Sequence, residues 1–385
     1  MSKIPYSRQS ISEEDIDAVS AVLRSDWLTT GPKVEEFEAA LSDFSGAPYT
    51  VTLSSGTAAL HTALALLDLS PGDEVIVPAI TFVATANCVL YQGATPIFAD
   101  IDASTLLIDP EQVRKNLSEK TKAIIAVDYA GQPCDYKALR AICNEHNLVL
   151  IADACHSLGA EDRGIKVGNL ADMTLLSFHP VKHICTGEGG ALLTKHKRYA
   201  TMAKKFRNHG INADHHQREK MGNWEYDMEF LGFNYRLTDF QCALGMSQLN
   251  ELPMWLQRRT AVAKRYDISL GNIMGVSALE KRPMVKHAYH LYVIRINQSA
   301  TGISRDALFT TLRNSGIGVN VHYKPVFQHS YYRKRFPNVG RQCPEANRVA
   351  SEILSLPIYS EISDEQVDTV TYELTKALQQ ERLYG

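Results

Sequence analysis

Between residues 49 and 153, short apolar segments alternate with helix-like stretches, and this alternation constrains the 385-residue chain more than any other feature. YTVTL is followed by TAALHTALALL, EVIVPA by FVATANCVLYQG, and KAIIAVDYAG by YKALRAICNEHN, with TPIFADI and LVLIADA as further strands. Continuous runs of Val, Ile and Leu belong to strands buried on both faces, so the pattern predicts an α/β fold with a mostly parallel sheet between helices. The alternation weakens after about residue 245. There LPMWLQRRTAVAKRYDISL reads as one long helix leading to a smaller α+β part, with HLYVIRI as a strand. The expected division is a large domain with an N-terminal arm over 1–245 and a small C-terminal domain over 246–385. Ser12, with Asp15 three residues on, marks the start of an amphipathic helix.

Hydrophobic residues make up 45% and charged residues 22%, the balance of an ordinary globular protein. A formal net charge of −3 gives no sign of nucleic acid or an anionic membrane as partner. Seven cysteines are scattered, with no C-x-x-C pair and no Cys/His group at zinc spacing, which predicts reduced thiols and no metal. The polar, acidic start MSKIPYSRQSISEEDIDAV is unlike a secretory signal, and no apolar stretch is long enough to span a bilayer. The expected location is the cytoplasm.

Lys182 is the residue that a purely structural reading explains least. The apolar run Leu175-Leu176-Ser177-Phe178 leads to it, and Gly187-Glu188-Gly189-Gly190 then leads to a second apolar run. Burying an ammonium is costly unless it is paired or loses its proton. Ligands in open α/β sheets sit beyond the carboxyl ends of the strands. Three such ends carry polar residues here: Asp153 after LVLIA, Ser177 shortly before Lys182, and Ser54-Ser55-Gly56-Thr57 after YTVTL. Singly, each has a plainer reading: a strand-end acid as a cap or salt-bridge partner, a loop lysine with its head in water, a helix start. Together, with acid and lysine 29 residues apart, they suit pyridoxal phosphate. Lys182 would form the imine with its aldehyde, Asp153 would hold the ring nitrogen protonated, and Gly56 and Thr57 would offer N–H groups to its phosphate.

WLTTGP, SSGTAALHTAL, GDEVIVPAITFVATAN, ADACHSLGA, SFHPVKHICTGEGGALLT and GFNYRLTDFQCALGMSQL resemble, in order, the motifs of the DegT/DnrJ/EryC1/StrS family of nucleotide-sugar aminotransferases. The resemblance covers nearly the whole chain. It implies fold type I of the pyridoxal-phosphate enzymes and a homodimer with active sites at the subunit interface. It also implies Lys182 as the Schiff-base lysine and Asp153 as the ring-nitrogen partner. Phe82 matches the aromatic that stacks on the ring, His156 a position near the ring hydroxyl, and Ser177 a phosphate ligand. Asn234 matches an asparagine that reaches the neighbouring subunit's cofactor phosphate. Members with histidine in place of the lysine are dehydratases, and Lys182 is intact here with His183 beside it. A non-catalytic regulatory protein on the same fold is the alternative of another class. LVLIADACHSLGA and HPVKHICTGEGG retain every chemical group needed, which argues against it, and a purely structural chain would have no need for Asp153 and Lys182 together.

IPYS, VDYAG and GVNVHYKPVFQHSYYRKRF further resemble the branch of that family that acts in pseudaminic acid biosynthesis and feeds flagellin glycosylation. That likeness implies transfer from L-glutamate to C4 of UDP-2-acetamido-2,6-dideoxy-β-L-arabino-hex-4-ulose. It places Tyr6, Asp26-Trp27-Leu28-Thr29 and His322-Tyr323-Lys324-Pro325 along the sugar-nucleotide site. The alternative is another UDP-, dTDP- or GDP-linked 4-keto-6-deoxy sugar.

Overall fold

The apolar segments become strands, and seven of them form one sheet. They are β1 (Tyr49–Leu53), β2 (Glu74–Pro78), β3 (Thr95–Ala99), β4 (Thr121–Val127), β5 (Val149–Asp153), β8 (Met173–Ser177) and β9 (Gly190–Thr194). Between β5 and β8 lie two short strands, β6 (Glu161–Asp162) and β7 (Ile165–Lys166). The computed structural model describes residues 3–212, 222, 224–271 and 273–384. The sheet order is β1-β9-β8-β5-β4-β2-β3. β9 is antiparallel to both neighbours, and the remaining pairs are parallel. The reversal has a local cause: β8 and β9 are sheet neighbours joined by the residue 178–189 turn, without a crossover helix. Helices Gly56–Ala65, Val83–Tyr91 and Tyr136–His146 follow β1, β2 and β4.

Val51, Leu53, Ile76, Val77, Ile124, Ile125, Leu150, Ile151, Leu175 and Leu192 are wholly buried in the main core. Each such side chain contributes roughly 1.5–3 kcal/mol through the water it sheds, so the strand ends are held firmly against their neighbours. Ser12 and Asp15 form the expected capping box at the start of the helix Glu13–Leu23.

A second sheet is built from β10 (Val276–Ala278), β12 (Tyr292–Ile296) and β13 (Ile353–Leu356), while β11 (Val285–Lys286) pairs back onto β6. The helix Asp239–Leu270 serves both parts. Cys242, Leu249, Leu252 and Leu256 pack in a core beside the large sheet, and Val262, Ala263, Tyr266 and Leu270 pack in the core of the smaller one. The helix expected from the sequence begins at Leu252. In the structure it starts at Asp239 behind a Thr238/Gln241 capping box and continues through Pro253. Burial of Leu249, Leu252 and Leu256 on either side offsets the hydrogen bond that proline cannot make. Position 245 lies inside this helix. The N-terminal arm joins the second core through Ile4, which bridges to Ile317. Among the described residues no helix is long and apolar enough to cross a membrane.

Candidate active site

Asp153, Ser177 and Ser54-Ser55 stand at one edge of the large sheet because β5, β8 and β1 all end there. Asp153 is 6% exposed. Its Oδ2 accepts from Thr85 Oγ1 at 2.9 Å, and Thr85 in turn meets Thr81 Oγ1 at 2.9 Å. The helix Gly56–Ala65 opens beside it with Ser55 as N-cap, whose Oγ accepts from Ala58 N–H at 3.0 Å. That leaves the first N–H groups of the helix directed outward, with Thr57 exposed. Gly56 is needed for close approach: a Cβ there would stand 2.9 Å from Ser177 Cβ and 3.3 Å from Cys155 Sγ. The helix start, Ser177 and Cys155 thus come this close only because residue 56 has no side chain.

Lys182 hangs over this edge on a turn closed by its own N–H donating to His179 C=O at 2.8 Å. It is half-buried. Desolvation pulls its amine below the ordinary lysine value, while Cys155 and Asp153 act in the opposite direction. Burial pushes the Cys155 thiol well up, so it stays protonated. His156 is buried, and burial, with the positive charge of Lys182 next, holds its imidazole well below the usual range. Its Nε2 lies 3.1 Å from Tyr323 Oη. Tyr323 is also 6.0 Å from the ring of Phe82, which caps the helix Val83–Tyr91 and is 56% exposed. His322 accepts the Tyr129 hydroxyl at its carbonyl and meets Ser355 Oγ through Nδ1 at 2.8 Å. Burial, then Lys182, lowers its pKa to about 4. Pro325 is buried and Lys324 exposed. Val326 N–H donates to Ala79 C=O at 3.0 Å, seating this loop on the end of β2. Tyr6 stacks at a tilt 5.7 Å from His322, and Ser7 Oγ donates to Val181 C=O at 3.4 Å beside Lys182.

The structure therefore gathers Lys182, Asp153, His156, Phe82, Tyr6, His322 and Tyr323 at one edge, with Ser177 and Gly56 adjoining. Asp26, Trp27, Leu28 and Thr29 lie on an exposed loop docked elsewhere. Thr29 bridges to Thr238, Leu28 C=O accepts from Asp239 N–H at 3.0 Å, and Asp239 carboxylate accepts from Gly31 and Lys33 N–H. Gln241 extends this contact to the carbonyls of Thr186 and Glu188, in the turn after Lys182. Asn234 is exposed, on a segment whose next carbonyl, Tyr235, accepts from Ser54 N–H at 2.8 Å.

Sequence reasoning missed Thr85, the hydroxyl that orients Asp153. Thr81 and Thr85 are one helical turn apart around Phe82, which was the available signal. It also missed His290, whose ring lies 4.3 Å from that of His156, and no pattern in AYHLY marks it.

These residues fit pyridoxal phosphate on their own chemistry. Among the described residues the buried Nδ1 of His156 has no partner, the ring of Phe82 is exposed, and Gly56 opens a helix with no side chain in the way. A lysine turn between a parallel strand and a reversed one, over a sheet covered on both sides, places the chain among the pyridoxal-phosphate enzymes of fold type I. The pattern of the DegT/DnrJ/EryC1/StrS aminotransferase family matches residues 9–375, and the chain belongs to that family. It is 37% identical over 369 residues to the spore coat polysaccharide biosynthesis protein SpsC of Bacillus subtilis, covering 95% of each chain. Spr1654 of Streptococcus pneumoniae, provisionally named a sugar aminotransferase and solved in a PMP-form, is 34% identical with a TM-score of 0.92, over 98% of this chain and 100% of that one. Helicobacter pylori PseC, an aminotransferase of pseudaminic acid biosynthesis, is 32% identical with a TM-score of 0.91 at the same coverage. The chain is a pyridoxal-phosphate-dependent sugar aminotransferase.

Proposed function

We propose that the enzyme moves the amino group of L-glutamate to C4 of UDP-2-acetamido-2,6-dideoxy-β-L-arabino-hex-4-ulose, as in pseudaminic acid biosynthesis. The observation that carries this reading is the meeting of the N-terminal arm and the His322–Tyr323 loop above Lys182, with Tyr6 on His322 and Ser7 on Val181. The likeness to PseC supports the sugar. Pyridoxal phosphate, when bound, supplies an aldehyde that takes up the amino group and a ring that stores the electron pair left at the donor's α-carbon. Lys182 would hold it, and its Nζ would move the proton, a role its lowered pKa favours. Asp153, oriented by Thr85, holds the proton on the ring nitrogen. Gly56, Thr57 and Ser177 would hold its phosphate, Phe82 would lie against its ring and His156 near its hydroxyl. The exposed Lys324 would meet the diphosphate, with His322, Tyr323 and Pro325 shaping the sugar pocket. The enzyme works as a cytoplasmic homodimer in which Asn234 and the Asp26–Thr29 loop complete the partner's site.

The similarity to SpsC favours a second reading, an amino sugar of a surface polysaccharide made from a different nucleotide-linked 4-keto sugar. One assay separates the two. Enzyme, cofactor and L-glutamate are given the UDP-4-keto sugar in L-arabino or D-xylo form, and products are identified by NMR. A 4-amino product from the L-arabino form alone is expected. Amination of the D-xylo form alone would keep the chemistry and overturn the sugar.

A further inference from the structure

Behind the lysine turn two imidazole rings lie together: His156 and His290, with centroids 4.3 Å apart and planes tilted by 40°. Both residues are buried, and each has a buried Nδ1 with no hydrogen-bond partner. Four buried side-chain atoms are unpartnered among the described residues, and this stack holds two of them. Unpaired buried polar atoms are unfavourable and uncommon, so a stacked pair calls for a use.

The other nitrogen of His156 is committed. Burial raises the Tyr323 phenol well above its ordinary value, and its Oη lies 3.1 Å from Nε2, so in one tautomer of the pair Tyr323 donates and Nε2 accepts. A neutral imidazole accepting at Nε2 carries its hydrogen on Nδ1. In that tautomer His156 holds a donor that no described residue receives.

His290 is fixed from several sides. Ala288 N–H donates to Gly131 C=O at 2.9 Å, and Leu291 N–H to Ala130 C=O at 3.1 Å. The buried Arg259 guanidinium donates to Tyr289 C=O at 3.0 Å and to Ile358 C=O at 3.2 Å. Gly131, at φ +101°, lets the strands of this knot meet: a Cβ there would stand 2.8 Å from His156 O and 2.9 Å from His290 N. On its other side His290 meets His183, the residue after Lys182, at 5.5 Å between centroids. His183 Nε2 is bound to Ala288 C=O at 3.0 Å.

We propose that His290 is a positioning residue whose ring fixes the plane of His156, so that the His156 Nδ1–H meets bound pyridoxal phosphate in a single orientation. Tyr323 sets which nitrogen carries the hydrogen, and His290 sets where it points. The test uses the apo-protein and pyridoxal phosphate alone, without donor or sugar, following the visible absorption of the bound cofactor and its Kd. His290→Ala is expected to shift the absorption band and raise Kd about tenfold. In a His156→Ala background the same change should alter Kd by less than about twofold, since the effect runs through His156. His290→Phe, which keeps a ring on His156, should restore the band. An equal loss in both backgrounds, or an unaltered band and Kd in His290→Ala, would overturn the proposal. Should His290→Ala not fold, His290→Phe and His290→Leu make the comparison: a wild-type band in the first only supports it, and identical behaviour overturns it.

Discussion

Lys182 illustrates how one side chain is tolerated where its charge is not. Its half-buried amine sits above Asp153 and Cys155, and desolvation favours the uncharged form that attacks a carbonyl. Replacing it by Ala should lower multiple-turnover kcat by about a thousandfold or more while leaving the fold intact, as steady-state kinetics and circular dichroism would show. Full turnover by that variant would sink the assignment. His322 gives the matching statement about stability. Its pKa falls from 6.5 to about 4 on folding, so the unfolded chain binds more protons between those values. Its contribution is complete above pH 6.5 and is lost as pH falls toward 4. Denaturant midpoints measured between pH 7 and pH 4 should decline, and His322→Asn should flatten the decline. His156, His183 and His290 are depressed in the same direction by burial and add to the slope.

At the scale of elements, the first residue of one helix organises the approach to another. Asp239 opens the helix Asp239–Leu270, and its buried carboxylate holds the N–H groups of Gly31 and Lys33 at 2.8 and 3.0 Å. Asp239→Ala would strand those donors at a cost of about 1–3 kcal/mol. Because Leu28 hangs on the same residue, KM for the sugar nucleotide should rise more than KM for the amino donor. Equal changes in both would detach the Asp26–Thr29 loop from sugar binding. Much at this scale was legible beforehand. β1, β2, β4 and β5 fall where YTVTL, EVIVP, AIIAV and LVLIAD lie, because strands buried on both faces need unbroken apolar runs. Asp153 and Lys182 stood out as polar residues at the ends of such runs. Thr85 and His290 did not, since their roles depend on partners 68 residues away for Thr85 and in another element for His290. Local pattern carries no record of such meetings.

For the whole molecule, a conspicuous apolar surface runs along the segment that carries Asn234. Trp224 is 82% exposed, Leu231 77% and Met228 57%. Single exposed apolar residues are ordinary, but several large ones along one segment make a candidate interaction surface. If a second copy of the chain covers it, Leu231→Glu should convert a dimer to a monomer in light scattering and weaken cofactor binding. A wild-type assembly state in that variant would remove this segment from the interface. Long-range ties bind the rest of the molecule in the same way. The second core holds Ile4 as well as residues from 262 onward, and Ile358 N–H donates to Tyr6 C=O at 3.1 Å. Anyone building chimeras among such enzymes meets a practical consequence: a donor C-terminal half grafted at a convenient junction would inherit a foreign N-terminal arm. The graft needs two crossovers, one past residue 8 and one inside the long helix, because the smaller lobe is written at both ends of the gene.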